Sequence, residues 1–250
     1  MFSLRKLQRF FRSLPNLYRG YNLYVNPEKL ALIDHVFREL FPEARSFADL
    51  GGVWNVDAAY TDHTLTHHTI ERGFLVDTHY TNRAINRLKA FTHLHRIQSD
   101  FMKDEVIDAI HGVDVVYFFD VLLHQADPDW NDVLAKYARA SRCFVVYNQQ
   151  YIGGEETVRL TDMSLEEYKR LVPRRSDDFY KFVFEHPNQI DEATGKPLKS
   201  MHSIWQWGIT DRDLRRVMGD LGYEEVHYRN YGQFSNLPAF EDHSFVFMRL

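Results

Sequence analysis

The sequence predicts an α/β fold: a seven-stranded, mostly parallel sheet with helices on both faces and an antiparallel C-terminal hairpin strand. Three observations predict it. Short apolar runs alternate with helix-compatible stretches from Ser46 to Asn148, the pattern of βαβ units. The run Val113–Val121 (VDVVYFFDV) is β-branched and aromatic with almost no polar interruption, as expected of a strand buried on both faces. After Thr210 the order changes to one helix and two strands close together, Glu224–Tyr231 and Ser244–Leu250, which read as an antiparallel pair.

The elements follow in order. In the first twenty residues Leu4, Leu7, Phe11 and Leu14 fall on one helical face, and Arg5, Arg9 and Arg12 largely on the other. Such a basic amphipathic stretch over 1–14 can lie on an anionic membrane surface or dock on the domain or a second subunit. Tyr21–Phe41 reads as a helix, with Asn26 before Pro27 as N-cap signal, Leu30, Ile33, Val36, Phe37 and Leu40 as its apolar face, and Pro42 as its end. Strands are expected at Ser46–Leu50, Gly73–Asp77, Arg96–Asp100, Val113–Val121 and Ser141–Asn148. Helices are expected at Val56–Arg72, Asn82–Phe91, Phe101–Ile110 and Asp129–Ala140. Thr210–Leu221 reads as a helix capped by Thr210, with Asp213 three residues on and Gly222 just past its end.

Between Tyr151 and Trp205 the alternation stops. A long mixed insertion in a compact domain is usually a lid or binding element. The expected organisation is N-terminal helices over 1–45, a ligand-binding core over 46–150, a lid over 151–205, and a closing helix and strands over 206–250.

Composition narrows the function classes. The 250 residues are 44% hydrophobic and 15% aromatic, with net charge −5. That is ordinary globular composition, and a poor match to a nucleic-acid binder, which must neutralise phosphates. The single cysteine, Cys143, allows neither an intrachain disulfide nor a cysteine-based zinc site. With no secretory signal and no apolar run of bilayer-spanning length, a cytoplasmic location is expected, peripheral to a membrane if the basic stretch binds one.

In an open parallel sheet, ligands bind beyond the C-terminal strand ends. Four successive strands there end in an aspartate: Asp49, Asp77, Asp100 and Asp120. Asp49 is followed by Leu50-Gly51-Gly52, Asp77 by Thr78, Asp100 by Phe101, and Asp120 leads to His124. The fifth strand ends in Asn148-Gln149-Gln150. This layout, from about Ser46 to the C-terminus apart from the insertion, resembles the class I, Rossmann-like S-adenosylmethionine-dependent methyltransferases. Their loop after strand one is written acidic-x-Gly-x-Gly-x-Gly. Asp49 and Gly51 match it, whereas Val53 and Asn55 stand where the later glycines would be.

The resemblance implies S-adenosylmethionine as cofactor, held by Asp49, Gly51, Gly52, Asp77, Thr78, Asp100, Phe101 and Asp120. Asp77 would meet the ribose hydroxyls. Asp100 would meet the adenine amine, with Phe101 packed on the ring. His124 is the candidate general base for a hydroxyl acceptor. Asn148, Gln149, Gln150 and Trp207 are the candidate acceptor residues, since amides read hydroxyls and aromatic faces cover C–H surface. His186, Asn188, Gln189, His202 and Trp205 in the insertion could join them or serve as surface groups and core anchors. The expected activity is methylation of a small polar acceptor, such as a sugar or glycolipid hydroxyl. The alternative is a non-catalytic partner or sensor subunit of the same fold. A nicotinamide-dependent oxidoreductase is disfavoured, because residues 51–56 read Gly-Gly-Val-Trp-Asn-Val rather than Gly-x-Gly-x-x-Gly. No metal site is expected: His63 and His67 are four apart on a predicted helix, but a third ligand is not evident.

Overall fold

The computed structural model describes residues 25–173, 177–192 and 195–249. The basic stretch over 1–14, and with it the membrane expectation, lies outside them. The main sheet has seven strands: β1 (Ser46–Leu50), β2 (Arg72–Asp77), β3 (Leu94–Gln98), β4 (Val113–Phe119), β5 (Ser141–Tyr151), β8 (Glu224–Phe234) and β9 (Leu237–Met248). Their order is β3-β2-β1-β4-β5-β9-β8. The first five are parallel, and β9 runs antiparallel between β5 and β8. The chain winds outward from β1 to β3, then returns beside β1 as β4. The crevice at that reversal, past the ends of β1 and β4, is where such sheets bind ligands.

Strand alternation builds two core layers. Phe47, Tyr117 and Val145 face α1 (Pro27–His35), α2 (Ala59–His67) and α3 (Asn82–Leu88). Ala48, Val116 and Phe144 face α4 (Asp104–Ala109), α5 (Trp130–Tyr137) and α8 (Asp211–Asp220). Asn26 caps α1 by accepting from the Glu28 amide, and Thr210 caps α8 by accepting from the Asp213 amide. Gly222, at φ 82, closes α8 as a left-handed residue.

Several boundaries differ from the sequence expectation, for local reasons. The apolar stripe of α1 is Leu32, Ile33, Val36 and Phe37, with Lys29 buried on the same face, and the helix ends in a π-turn over Val36–Leu40. Residues 56–72 are not one helix. Asn55, Asp57 and Ala58 have positive φ, and the Glu71 and Arg72 amides donate to the Arg45 carbonyl, which starts β2 early. β3 lies two residues earlier than expected, because Leu94 packs over Gly73, where a side chain would crowd Leu94 and Phe47. β9 begins at Leu237 rather than Ser244: its polar residues Glu241, Asp242 and His243 pair with Gln150, Gln149 and Asn148 of a longer β5.

The insertion carries a core of its own. It contains β6 (Val158–Arg159), α6 (Leu165–Leu171) and α7 (Asp177–Glu185), and β6 pairs with a second small strand just past the insertion, β7 (Trp207–Gly208). Tyr168, Tyr180, Ile204 and Trp205 pack there on Leu123, Phe234, Leu237 and Phe240 of the main domain. α6 begins with a complete Ser164–Glu167 capping box. Trp205 is therefore a core anchor, meeting Phe240 edge-on at 4.9 Å. Among the described residues no helix is long and apolar enough to cross a membrane.

Candidate functional site

A cavity of about 300 Å³ opens past the ends of β1 to β5, under the insertion. One wall is local in sequence. β1 delivers Asp49 and the turn Gly51-Gly52. Gly51 has φ 73, and a side chain there would press on Val121; one at Gly52 would collide with the Asp49 carboxylate. That carboxylate is tucked under the turn and accepts from the Thr61 hydroxyl at 2.6 Å. Burial, together with the negative charge of Asp77, pushes Asp49 up to about 6 against the Thr61 hydrogen bond.

The substituted glycine positions are accommodated. Val53 buries its side chain in the core and donates its amide to Asp77 at 2.9 Å. Asn55 takes φ 57, a left-handed conformation that Asn tolerates better than most residues. Asp77 also accepts from the His79 amide at 3.2 Å. A carboxylate has about four acceptor sites, so these two bonds leave capacity for hydroxyl donors. Thr78, Asp100 and Phe101 complete this wall. Asp100 stands two residues beyond the end of β3 yet still lines the cavity, accepting from the Met102 amide at 2.9 Å.

The opposite wall is assembled from distant segments. Lys29 of α1 is ion-paired with Asp120 and surrounded by the rings of Tyr60, Phe119 and Tyr147, the last 4.8 Å away. Burial opposes its charge, but Asp120 more than compensates and holds the lysine above its ordinary value. Gln149 donates to both Asp120 and Asp242, at 2.9 Å each. Burial, and then the nearby Asp120, raise Asp242 to about 7. The Gln149 Oε1, Gln125 Oε1 and Ser203 Oγ atoms, all on cavity-lining residues, are buried without a hydrogen-bond partner among the described residues. Buried polar atoms normally find one, so this wall is suited to a polar ligand.

His124 sits between the walls on a short 3₁₀ turn after β4. Its Nδ1 lies 2.9 Å from the Ile204 carbonyl. A carbonyl only accepts, so Nδ1 carries a proton, and it is Nε2 that would hold the lone pair when the ring is neutral. The insertion closes the top with His202 and Ser203. Lys196 lies 3.4 Å from Asp100 and 3.1 Å from His202 Nε2. Burial, and then Lys196, lower the pKa of His202, which therefore accepts from the ammonium as a neutral ring.

Asp49, Gly51, Gly52, Asp77, Thr78, Asp100, Phe101, Asp120, His124 and Gln149 thus meet in one cavity. Three expected residues do not. Asn148 and Gln150 face away from Gln149, as the strand period of two dictates; both are buried outside the cavity. Trp207 donates its indole N–H to the Gln125 carbonyl at 2.7 Å and lies under Arg159, fastening the insertion rather than lining the pocket. Lys29, Trp54, Tyr60, Tyr147 and Asp242 line the cavity without having been singled out from sequence. Lys29 carried a signal, since it interrupts the buried stripe 29, 32, 33, 36 of an amphipathic helix.

No protein-family model matches the sequence, and no curated protein matches it. Solved structures do. An O-methyltransferase family protein from Burkholderia thailandensis aligns with TM-score 0.55 at 14% identity, over 89% of this chain and 56% of its own, so this chain spans little more than half of that protein. The N-terminal domain of EvdMO1, solved in the presence of S-adenosylhomocysteine and D-fucose, aligns with TM-score 0.54 at 15% identity over 100% of this chain and 97% of its own. The 1,6-didemethyltoxoflavin-N1-methyltransferase of Burkholderia thailandensis, with 1,6-didemethyltoxoflavin and S-adenosylhomocysteine bound, aligns with TM-score 0.54 at 9% identity over 88% of this chain and 78% of its own. With the strand order and the glycine turn already described, these likenesses show that the chain has the fold of the class I S-adenosylmethionine-dependent methyltransferases.

Proposed function

We propose that the protein is an S-adenosylmethionine-dependent methyltransferase acting on a hydroxyl of a small polar acceptor such as a sugar. The observation that carries this reading is one cavity in which the carboxylate rim and Gly51-Gly52 turn face His124 and the Lys29–Asp120–Gln149–Asp242 cluster. The cavity's excess of carboxylates over ammonium groups suits a cationic cofactor. S-adenosylmethionine, when bound, supplies a methyl group already activated on a sulfonium. The protein's work is then alignment, proton removal and exclusion of water.

Asp77 would accept from the ribose hydroxyls, Asp100 and Phe101 would hold the adenine, and the Gly51-Gly52 turn would let the backbone come close to the cofactor. His124 Nε2 takes the acceptor's hydroxyl proton, and the Ile204 carbonyl steadies the resulting imidazolium through Nδ1–H. Gln149 Oε1 and the Asp242 carboxyl orient further hydroxyls. The presence of D-fucose with the EvdMO1 domain supports a sugar as the acceptor class.

Val53, in place of a family glycine, favours a second reading, a non-catalytic subunit that holds the cofactor without turning it over. Incubation with S-adenosylmethionine and a panel of hexoses and deoxyhexosides, with S-adenosylhomocysteine quantified by mass spectrometry, separates the two. Turnover with a hydroxyl acceptor that is lost in His124→Ala is the expected result. Cofactor binding with no turnover on any acceptor would favour the subunit, and turnover confined to amines would overturn the hydroxyl assignment.

A further inference from the structure

Outside the cavity, α1 and α2 meet at a second cluster. Asp34 Oδ1 lies 2.9 Å from His63 Nε2 and 2.9 Å from His68 Nε2. The partner predicted for His63 from its spacing, His67, is not part of it: its Nδ1 is bonded to the His63 carbonyl at 2.9 Å. His68 reaches the cluster because it leaves the helix, at φ −130 and ψ 155. Its ring stacks on Phe37 at 5.0 Å, and the His63 ring stacks on His67 at 4.2 Å. Neighbours on both sides therefore hold the two imidazoles in place.

We infer that Asp34, His63 and His68 form a binding site for a divalent transition-metal ion, zinc by preference. The three donor atoms all lie within 4.8 Å of one another. Two donors that each stand about 2.0–2.2 Å from a shared zinc ion are roughly 3–3.5 Å apart, so the ion fits between these side chains with small shifts. Two imidazoles and one carboxylate select zinc, nickel or copper over magnesium or calcium, which prefer oxygen alone. Each imidazole moves its proton from Nε2 to Nδ1 on binding and offers the Nε2 lone pair; Asp34 supplies the negative charge. Water completes the coordination. Arg38, 3.5 Å from the other Asp34 oxygen, stays on the outer side of the carboxylate. The ion would act as a clamp, since α1 also carries Asn26 and Lys29 and α2 carries Tyr60, all on the cavity wall.

The test uses the full chain, stripped with a chelator and titrated with zinc chloride in a calorimeter, with thermal unfolding in parallel. One equivalent bound tightly, a higher Tm with zinc and no response to magnesium are expected. Asp34→Asn, His63→Gln and His68→Gln should each weaken zinc at least as much as the roughly 10–100-fold cost of losing a supporting partner. His67→Ala, which removes a stacking neighbour of His63 but no ligand atom, should weaken zinc less than any of the three. The metal-free Tm of each variant shows that it is folded, and any one folded ligand variant suffices for the comparison. Several weak equivalents, zinc affinity unaltered in Asp34→Asn, or His67→Ala as damaging as His68→Gln would each overturn the site.

Discussion

The two walls of the cavity are built in opposite ways. The wall proposed to face the cofactor comes from the ends of β1 and β2 and the loop after β3, each contributing a carboxylate and one or two residues close behind it. The wall proposed to face the acceptor draws Lys29 from the first described helix, Asp120 from the end of β4, Gln149 from β5, His202 from the insertion and Asp242 from the last strand. Lys29, Asp120, Gln149 and Asp242 are up to 213 residues apart along the chain yet joined by hydrogen bonds and an ion pair, as Lys29–Asp120 at a separation of 91 illustrates. The first wall depends on backbone conformation at the Gly51-Gly52 turn and on single carboxylates held by nearby amides. The second depends on charges that neutralise one another inside the protein, so that removing one strands another.

His124→Ala gives the largest expected effect. If His124 is the proposed general base, its loss lowers kcat by about 10²–10⁴-fold, while S-adenosylhomocysteine affinity stays within about twofold; steady-state kinetics beside calorimetry reads both. Next is Lys29→Met. It leaves Asp120, about a quarter exposed, with the Gln149 hydrogen bond but no counter-charge; breaking a fully buried pair costs about 3–5 kcal/mol, and this exposure puts the expected loss at the low end of that range, read by urea unfolding. A loss under 1 kcal/mol would mean that the acceptor wall is not electrostatically coupled.

The third expected effect is a pH dependence. Asp242 is raised from 3.8 to about 7 by burial and Asp120, so the folded protein holds that proton more tightly than the unfolded chain. The stability from this group is complete below about pH 4 and is lost as pH rises through about 7. Asp242→Asn cannot ionise and should flatten this slope, gaining about 2–4 kcal/mol on wild type between pH 4 and pH 8. Parallel stability curves for the two proteins would remove Asp242 from the coupled cluster. On the other wall, Asp77→Ala should weaken cofactor binding by about 1–3 kcal/mol and leave acceptor selectivity unchanged.

The same contrast governs what was legible in the sequence. Asp49, Gly51, Gly52 and Asp77 were readable because an apolar run followed by Asp marks a strand end, and strand ends gather at one edge of a parallel sheet. Asp100 was found although β3 ends two residues earlier, since the loop keeps the aspartate at the rim. On the other wall the sequence pointed to His124, Gln149 and, within the insertion, His202, while Asp120 was expected among the cofactor-binding residues. Asn148 and Gln150 share Gln149's chemistry but not its face, and a run of three polar residues gives no parity by itself. Asp242 was hidden because Glu241-Asp242-His243 reads as a loop; in the structure these residues are strand because they pair with the polar end of β5. His63 and His67 have the spacing of a helical pair, but the helix ends at His67, and that is what turns His68 towards Asp34.

The most direct test of the central claim is a calorimetric titration of the wild-type chain and Asp77→Ala with S-adenosylmethionine, S-adenosylhomocysteine and NAD. The account predicts one-to-one micromolar binding of both sulfur compounds by wild type, weaker binding by Asp77→Ala, and no heat with NAD. Binding of NAD, or sulfur-compound binding untouched by Asp77→Ala, would contradict it.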